Sequence, residues 1–133
     1  MTGTLRVLSR ILLATTLLLA LCVPVELAGA DTAHAAGALA VGNCGAYGVA
    51  YDFTEVEQAS AAALHQCAGD CKVAASMRGN CAALSIDMRN ACGAFGYAAA
   101  PQLGEAENAA LRYCYRNGGK DCIIRAFVCD AKG

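Results

Sequence analysis

Asn43-Cys-Gly-Ala-Tyr-Gly-Val-Ala50 is echoed by Ala91-Cys-Gly-Ala-Phe-Gly-Tyr-Ala98. Further on, Ala62-Ala-Leu-His-Gln-Cys67 is echoed by Ala109-Ala-Leu-Arg-Tyr-Cys114, and Asp70-Cys71 by Asp121-Cys122. The chain therefore carries an internal duplication, with repeats at about residues 37–81 and 82–130. Taken in order, eight cysteines divide into two quartets: Cys44, Cys67, Cys71 and Cys81, then Cys92, Cys114, Cys122 and Cys129.

Each repeat reads as strand, strand, helix, strand. In the first, residues 38–41 form a short apolar strand that ends at Gly42-Asn43. Residues 46–53 follow with Tyr47, Val49, Tyr51 and Phe53 at every other position, which places all four on one strand face. Thr54 then caps a helix running to about Gln66, with Glu57 as its reciprocal partner. Val56, Ala59, Ala63 and Cys67 share one stripe of that helix, so Cys67 falls at its buried edge. Residues 71–78 make the third strand, closed by the turn pair Gly79-Asn80. The second repeat matches with strands at 81–86 and 94–100, a helix over about 105–115 entered between Pro101 and Gly104, and a closing strand at 122–129. Asn117-Gly118-Gly119 ends that helix. The expected fold is α+β: a small disulfide-stapled domain of two ββαβ repeats related by pseudo-twofold symmetry. They share one antiparallel sheet or form two packed sheets, with alanine-rich helix faces that permit close helix–sheet approach.

The N-terminus sets the compartment. Arg6 and Arg10 precede the uncharged, mostly apolar run Ile11 to Val23, and small-x-small sites follow at Ala28-Gly-Ala30 and Ala33-His-Ala35. That run is short of the roughly 20 residues a spanning helix needs. It is expected to be a signal peptide (residues 1–35, cut after Ala30 or Ala35), leaving one secreted domain at 36–133 with no stable membrane insertion. Cleavage removes Cys22 and leaves eight of the nine cysteines, an even number in a disulfide-permissive space. The equivalence of the repeats favours one pairing pattern used twice: Cys44–Cys81 with Cys67–Cys71, and Cys92–Cys129 with Cys114–Cys122.

Composition explains why bridges are needed. From Ala36 onward 24 of the 98 residues are alanine and only 18 are Val, Leu, Ile, Met or Phe. Little large apolar surface is available to bury. Bridges offset the deficit by restricting the unfolded chain. With a formal net charge of −1, the chain offers no electrostatic footprint for nucleic acid.

Gly37-Ala-Leu-Ala-Val41, Cys44-Gly-Ala-Tyr-Gly48, Cys71-Lys-Val73, Cys81-Ala-Ala83 and Ala126-Phe-Val-Cys129 together resemble a family of small secreted bacterial proteins, catalogued as domain of unknown function 4189. The resemblance spans essentially the whole secreted part. It implies an exported α+β domain and carries over no catalytic residues.

The chemistry-bearing residues point away from catalysis. No Cys-x-x-Cys is present, and Cys67 and Cys114 lie at helix C-termini, where the dipole disfavours a thiolate. Neither a metal nor any other cofactor is expected. His65 is the one candidate general base, and its counterpart in the second repeat is Arg112. Glu55, Glu57, Glu105 and Glu107 open helices, where negative charge suits the dipole. Two features could mark a binding surface. The aromatic set Tyr47, Tyr51, Phe95 and Tyr97 would by default be core; exposed, it could hold a peptide or a carbohydrate. The basic set Arg112, Arg116, Lys120 and Arg125 would by default be a solvated face and could meet an anionic partner.

The leading expectation is a monomeric, non-enzymatic binding module, secreted or held in the periplasm or cell envelope. Its expected partner is an unknown protein or glycan outside the cytoplasm, of the envelope, host or environment, and not nucleic acid. One alternative is an inhibitor of an extracellular enzyme presenting the loop Arg78-Gly79-Asn80. A second is a small secreted enzyme using His65.

Overall fold

The computed structural model describes residues 35–130. The export segment, its apolar run and Cys22 lie outside the described residues. The first repeat forms β1 (Ala36–Val41), a single 3-10 turn (Asn43–Gly45), β2 (Tyr47–Phe53), α1 (Val56–Gln66) and β3 (Lys72–Arg78). The second forms β4 (Cys81–Asp87), β5 (Phe95–Ala100), α2 (Leu103–Arg116) and β6 (Cys122–Cys129). Each repeat makes its own three-stranded antiparallel sheet with its first strand in the middle, ordered β2-β1-β3 and β5-β4-β6. Of the two sheet arrangements open to the sequence, the chain adopts two packed sheets.

The central strands are buried on both faces, and their alternation sorts side chains by size. Ala36, Ala38 and Ala40 of β1 pack with Ala59, Ala63 and Cys67 of α1. Their neighbour Leu39 points the other way, joining Met77, Leu84, Ile86 and Val128 between the two sheets. On the far side Cys81 and Ala83 of β4 pack with Ala106 and Ala110 of α2. The layers are therefore helix, sheet, sheet, helix. Large aliphatic groups fill the inter-sheet space, where each fully buried one contributes roughly 1.5–3 kcal/mol, and alanine fills both helix–sheet seams. Those seams are tight: a Cβ at Gly48 would strike the Ala63 carbonyl, and one at the equivalent Gly96 the Ala110 carbonyl.

Three local expectations fail. The run Tyr47, Val49, Tyr51, Phe53 does not stay on one face, because the β1–β2 register shifts between Ala36 and Ala38 and Asp52 turns to a φ of 62°. The shift rotates Phe53 onto the α1 side, where it packs against the alanine cluster. Thr54 does not cap α1 either. The N-cap is Glu55, with no side-chain cap hydrogen bond, and the Thr54 carbonyl instead accepts from Arg78 at 3.4 Å. Likewise α2 begins at Leu103 behind Gln102, about half a turn earlier than Gly104 suggested.

All eight cysteines of the described residues are bridged. Cys67–Cys71 and Cys114–Cys122 pin each helix end to the following strand, as expected. The two long bridges are not Cys44–Cys81 and Cys92–Cys129 but Cys44–Cys92 and Cys81–Cys129. The physical reason lies in β4. Cys81, grouped by chain order with the first quartet, is the first residue of the second sheet's central strand and sits in direct register with Cys129 on β6. Their first-sheet counterparts are Ala36 and Arg78, also a register pair. Only three cysteines of each half thus have counterparts. Two of the three pair locally, so Cys44 and Cys92, which occupy the same place in each repeat, join the halves.

Four bridges in 96 described residues fit an oxidising compartment such as the extracellular space or periplasm. Among the described residues no helix is long and apolar enough to cross a membrane.

Candidate functional site

Stacking two alanine-seamed layers leaves the aromatic residues no interior to occupy. Of five tyrosines and three phenylalanines, only Phe53 is not exposed. Tyr47, Tyr51, Phe95 and Tyr97 are 37%, 58%, 42% and 43% exposed, so the default assignment of this stripe to the core is corrected. Burial went to small side chains because the central strands admit a helix on one face at alanine distance.

Where the sheets face each other, the edge strands do not meet fully, and a cleft opens at each end of the stack. In the first cleft, of about 660 Å³, Ala74, Ala75 and Ser76 of β3 face Phe95, Tyr97 and Ala99 of β5, with Tyr113 and Asn117 at one end. A smaller cavity of about 330 Å³ continues it past Phe95, Tyr97 and Ala74 to Asn43, Asp70 and Lys72. The Phe95 and Tyr97 rings lie nearly parallel, 18° apart in plane with centroids 6.5 Å apart, as residues two apart on a strand face allow. Asn117 Nδ2 donates to the Phe95 carbonyl at 2.7 Å, tying the end of α2 to the edge of β5. The Arg116 guanidinium lies 4.7 Å from the Tyr113 ring centroid, within cation–π range.

The second cleft, of about 450 Å³, is the pseudo-twofold counterpart, between β2 and β6, and is lined by Tyr47, Val49, Arg125 and Phe127. Equivalence is fixed by a shared irregularity. β3 skips Ala74 between the pairs Leu39–Ala75 and Ala40–Val73, and β6 skips Arg125 between Leu84–Ala126 and Ser85–Ile124. Arg125 thus stands where the first cleft has Ala74, and its guanidinium lies 5.6 Å from the Tyr47 ring centroid. Phe127 stands where the first cleft has Ser76.

The basic set is not one patch: Arg116 and Arg125 cover rings of different clefts, Arg112 is exposed on α2, and Lys120 lies in the loop before β6. Tyr51 lines neither cleft. The Lys120 backbone N–H donates to Asp87 Oδ2 at 3.0 Å, and those of Arg89 and Asp121 to Oδ1 at 3.1 and 3.2 Å. These bonds, that from Lys120 foremost, hold the Asp87 carboxyl below the ordinary aspartate range. Asp87 thereby ties the β4–β5 loop to the α2–β6 loop. His65 is exposed, with no hydrogen-bonded partner among the described residues. Arg78, in the loop considered for inhibition, pairs with Glu55 at 3.3 Å, and Asn80 N–H donates to the buried Asp130 at 2.8 Å. Among the described residues no group of three or more His, Cys, Asp or Glu could hold a metal ion.

Sequence reading missed Tyr113, Asn117 and the wall 74–76. The signal was present in where the repeats disagree: Tyr113 replaces Gln66, Arg125 replaces Ala74 and Phe127 replaces Ser76.

Fold and clefts together define a class: a disulfide-stapled, internally duplicated α+β domain carrying its aromatic residues on the outside. The chain belongs to the family described as domain of unknown function (DUF4189), whose model matches residues 36–129. No curated protein and no solved structure matches it.

Proposed function

We propose that the protein is an exported, non-enzymatic binding module whose ligand lies in the cleft between β3 and β5. The observation that carries this reading is the placement of the aromatic residues. A chain with few large apolar side chains leaves Phe95, Tyr97 and Tyr113 on the surface and converges the first two on an open cleft. Exposed apolar patches rimmed by polar groups mark interaction sites, and clefts of this volume take ligands. Export is supported by the Arg6-to-Ala35 signal pattern and the four bridges. The non-enzymatic part is supported by the isolation of His65, which lacks the oriented nucleophile or acid that general-base chemistry requires.

The test is a ligand screen of the full chain by NMR against peptides, glycans and lipids, with a parallel hydrolase screen. Shifts confined to residues around Phe95, Tyr97 and Tyr113 are expected. A hydrolytic activity lost in His65→Ala, or a ligand that maps elsewhere, overturns the reading.

A further inference from the structure

Resting on that reading, we infer that the occupant of the β3–β5 cleft is a linear acidic polysaccharide, with sugar rings on Phe95 and Tyr97 and a carboxylate on Arg116. Three observations converge. The two cavities share Phe95, Tyr97 and Ala74, so the cleft runs on past the aromatic pair and suits an extended chain more than a compact molecule. Its middle is flat and uncharged, with two nearly parallel rings on one wall and Ala74, Ala75 and Ser76 on the other. The electropositive C–H face of a pyranose fits an electron-rich ring face. Its ends are polar. Asn43, Asp70 and Lys72 offer hydroxyl partners at one end, and Arg116 stands over Tyr113 at the other.

Charge selects the acidic form. No carboxylate lies within ion-pair distance of Arg116 or Arg112 among the described residues. The Arg116 guanidinium does not line the cavity itself but lies 4.7 Å from the ring centroid of Tyr113, which does, and its planar fork matches a carboxylate. An extended peptide is the less suitable guest. Strand addition needs a continuous free edge, but the Phe95 carbonyl of β5 is already taken by Asn117, Pro101 follows that strand, and β3 is interrupted at Ala74. These are devices that blunt edges.

The experiment is calorimetric titration of the full chain, its four bridges intact, with hexagalacturonate, neutral cellohexaose and hexaglutamate. Hexagalacturonate is expected to bind at least about tenfold more tightly than cellohexaose, and hexaglutamate not at all. Tyr97→Ala should weaken both sugars by about tenfold. Arg116→Gln should bring hexagalacturonate down to the cellohexaose level, and Arg125→Gln, in the other cleft, should change neither. Equal binding of hexaglutamate, or of the two sugars, overturns the inference, as does indifference to Arg116→Gln. If no sugar binds while a peptide or lipid shifts the cleft residues, the inference falls and the binding-module reading stands. If nothing occupies the cleft, both fall.

Discussion

The two clefts occupy equivalent positions of one duplicated fold, yet one holds about 450 Å³ and the other about 660 Å³. In the β2–β6 cleft Arg125 lies over Tyr47 and Phe127 adds bulk, whereas in the β3–β5 cleft the same places hold Ala74 and Ser76. The seams behind both clefts are alike, down to the glycine under each helix and the skipped residue in each third strand. On the cleft walls the halves differ at positions where a side chain can change without disturbing a layer.

The comparison can be broken most severely at the bridge that joins the halves. Replacing both Cys44 and Cys92 by serine opens a 48-residue separation and should cost about 4 kcal/mol in the loop-entropy model. Removing Cys67 and Cys71, four residues apart, should cost about half of that. Urea melts of both variants check the ratio; equal losses would mean that the inter-half bridge is no special constraint.

Next in size are the seams. Gly48→Ala and Gly96→Ala should each destabilise by roughly 1–3 kcal/mol, because the new methyl meets helix backbone that cannot move aside alone. Thermal melts showing loss at one site and not at the other would disprove the equivalence of the halves.

Exchanging the cleft walls sharpens the contrast directly. Ala74→Arg with Ser76→Phe should narrow the β3–β5 cleft and lower affinity for the proposed ligand by at least about tenfold, while changes at these half-buried and exposed positions should move stability by only about 1 kcal/mol. Titration and a melt on the same sample separate the two effects.

The smallest effect concerns Asp87, whose first-sheet counterpart is Gly42. Its carboxyl is depressed in the folded state by the Lys120, Arg89 and Asp121 backbone N–H groups. The stability it contributes is therefore full above the ordinary aspartate value of 3.8 and is lost as pH falls from there through the lower folded value. Asp87→Asn should flatten the acid limb of the melting temperature against pH and leave the rest of the curve parallel to the wild type. An unchanged acid limb would show that those bonds do not discriminate the charged carboxyl.

Much of the fold was legible in the chain. The duplicated Cys-Gly-Ala-aromatic-Gly motif marked the first hairpin of each half, the stripe Ala59, Ala63, Cys67 marked the buried helix face, and the short bridges followed from cysteines at helix ends. The candidate site was half visible. Phe95, Tyr97 and Arg116 were singled out, but Tyr47 and Arg125 belong to the other cleft and Tyr51 to neither. A period-2 pattern states which residues share a strand face. It is silent on whether a second sheet covers that face to its edge.

By itself the sequence determined what depends on local spacing and chain chemistry: two ββαβ units, helix faces of alanine, and cysteines in a number that pairs. Only the tertiary structure decided which long bridges form, because Cys81 meets Cys129 through strand register, and register depends on neighbours distant in the chain. It also decided that the aromatic residues face outward, because two helix–sheet seams at alanine distance and one inter-sheet core filled by aliphatic groups leave no interior space for a ring.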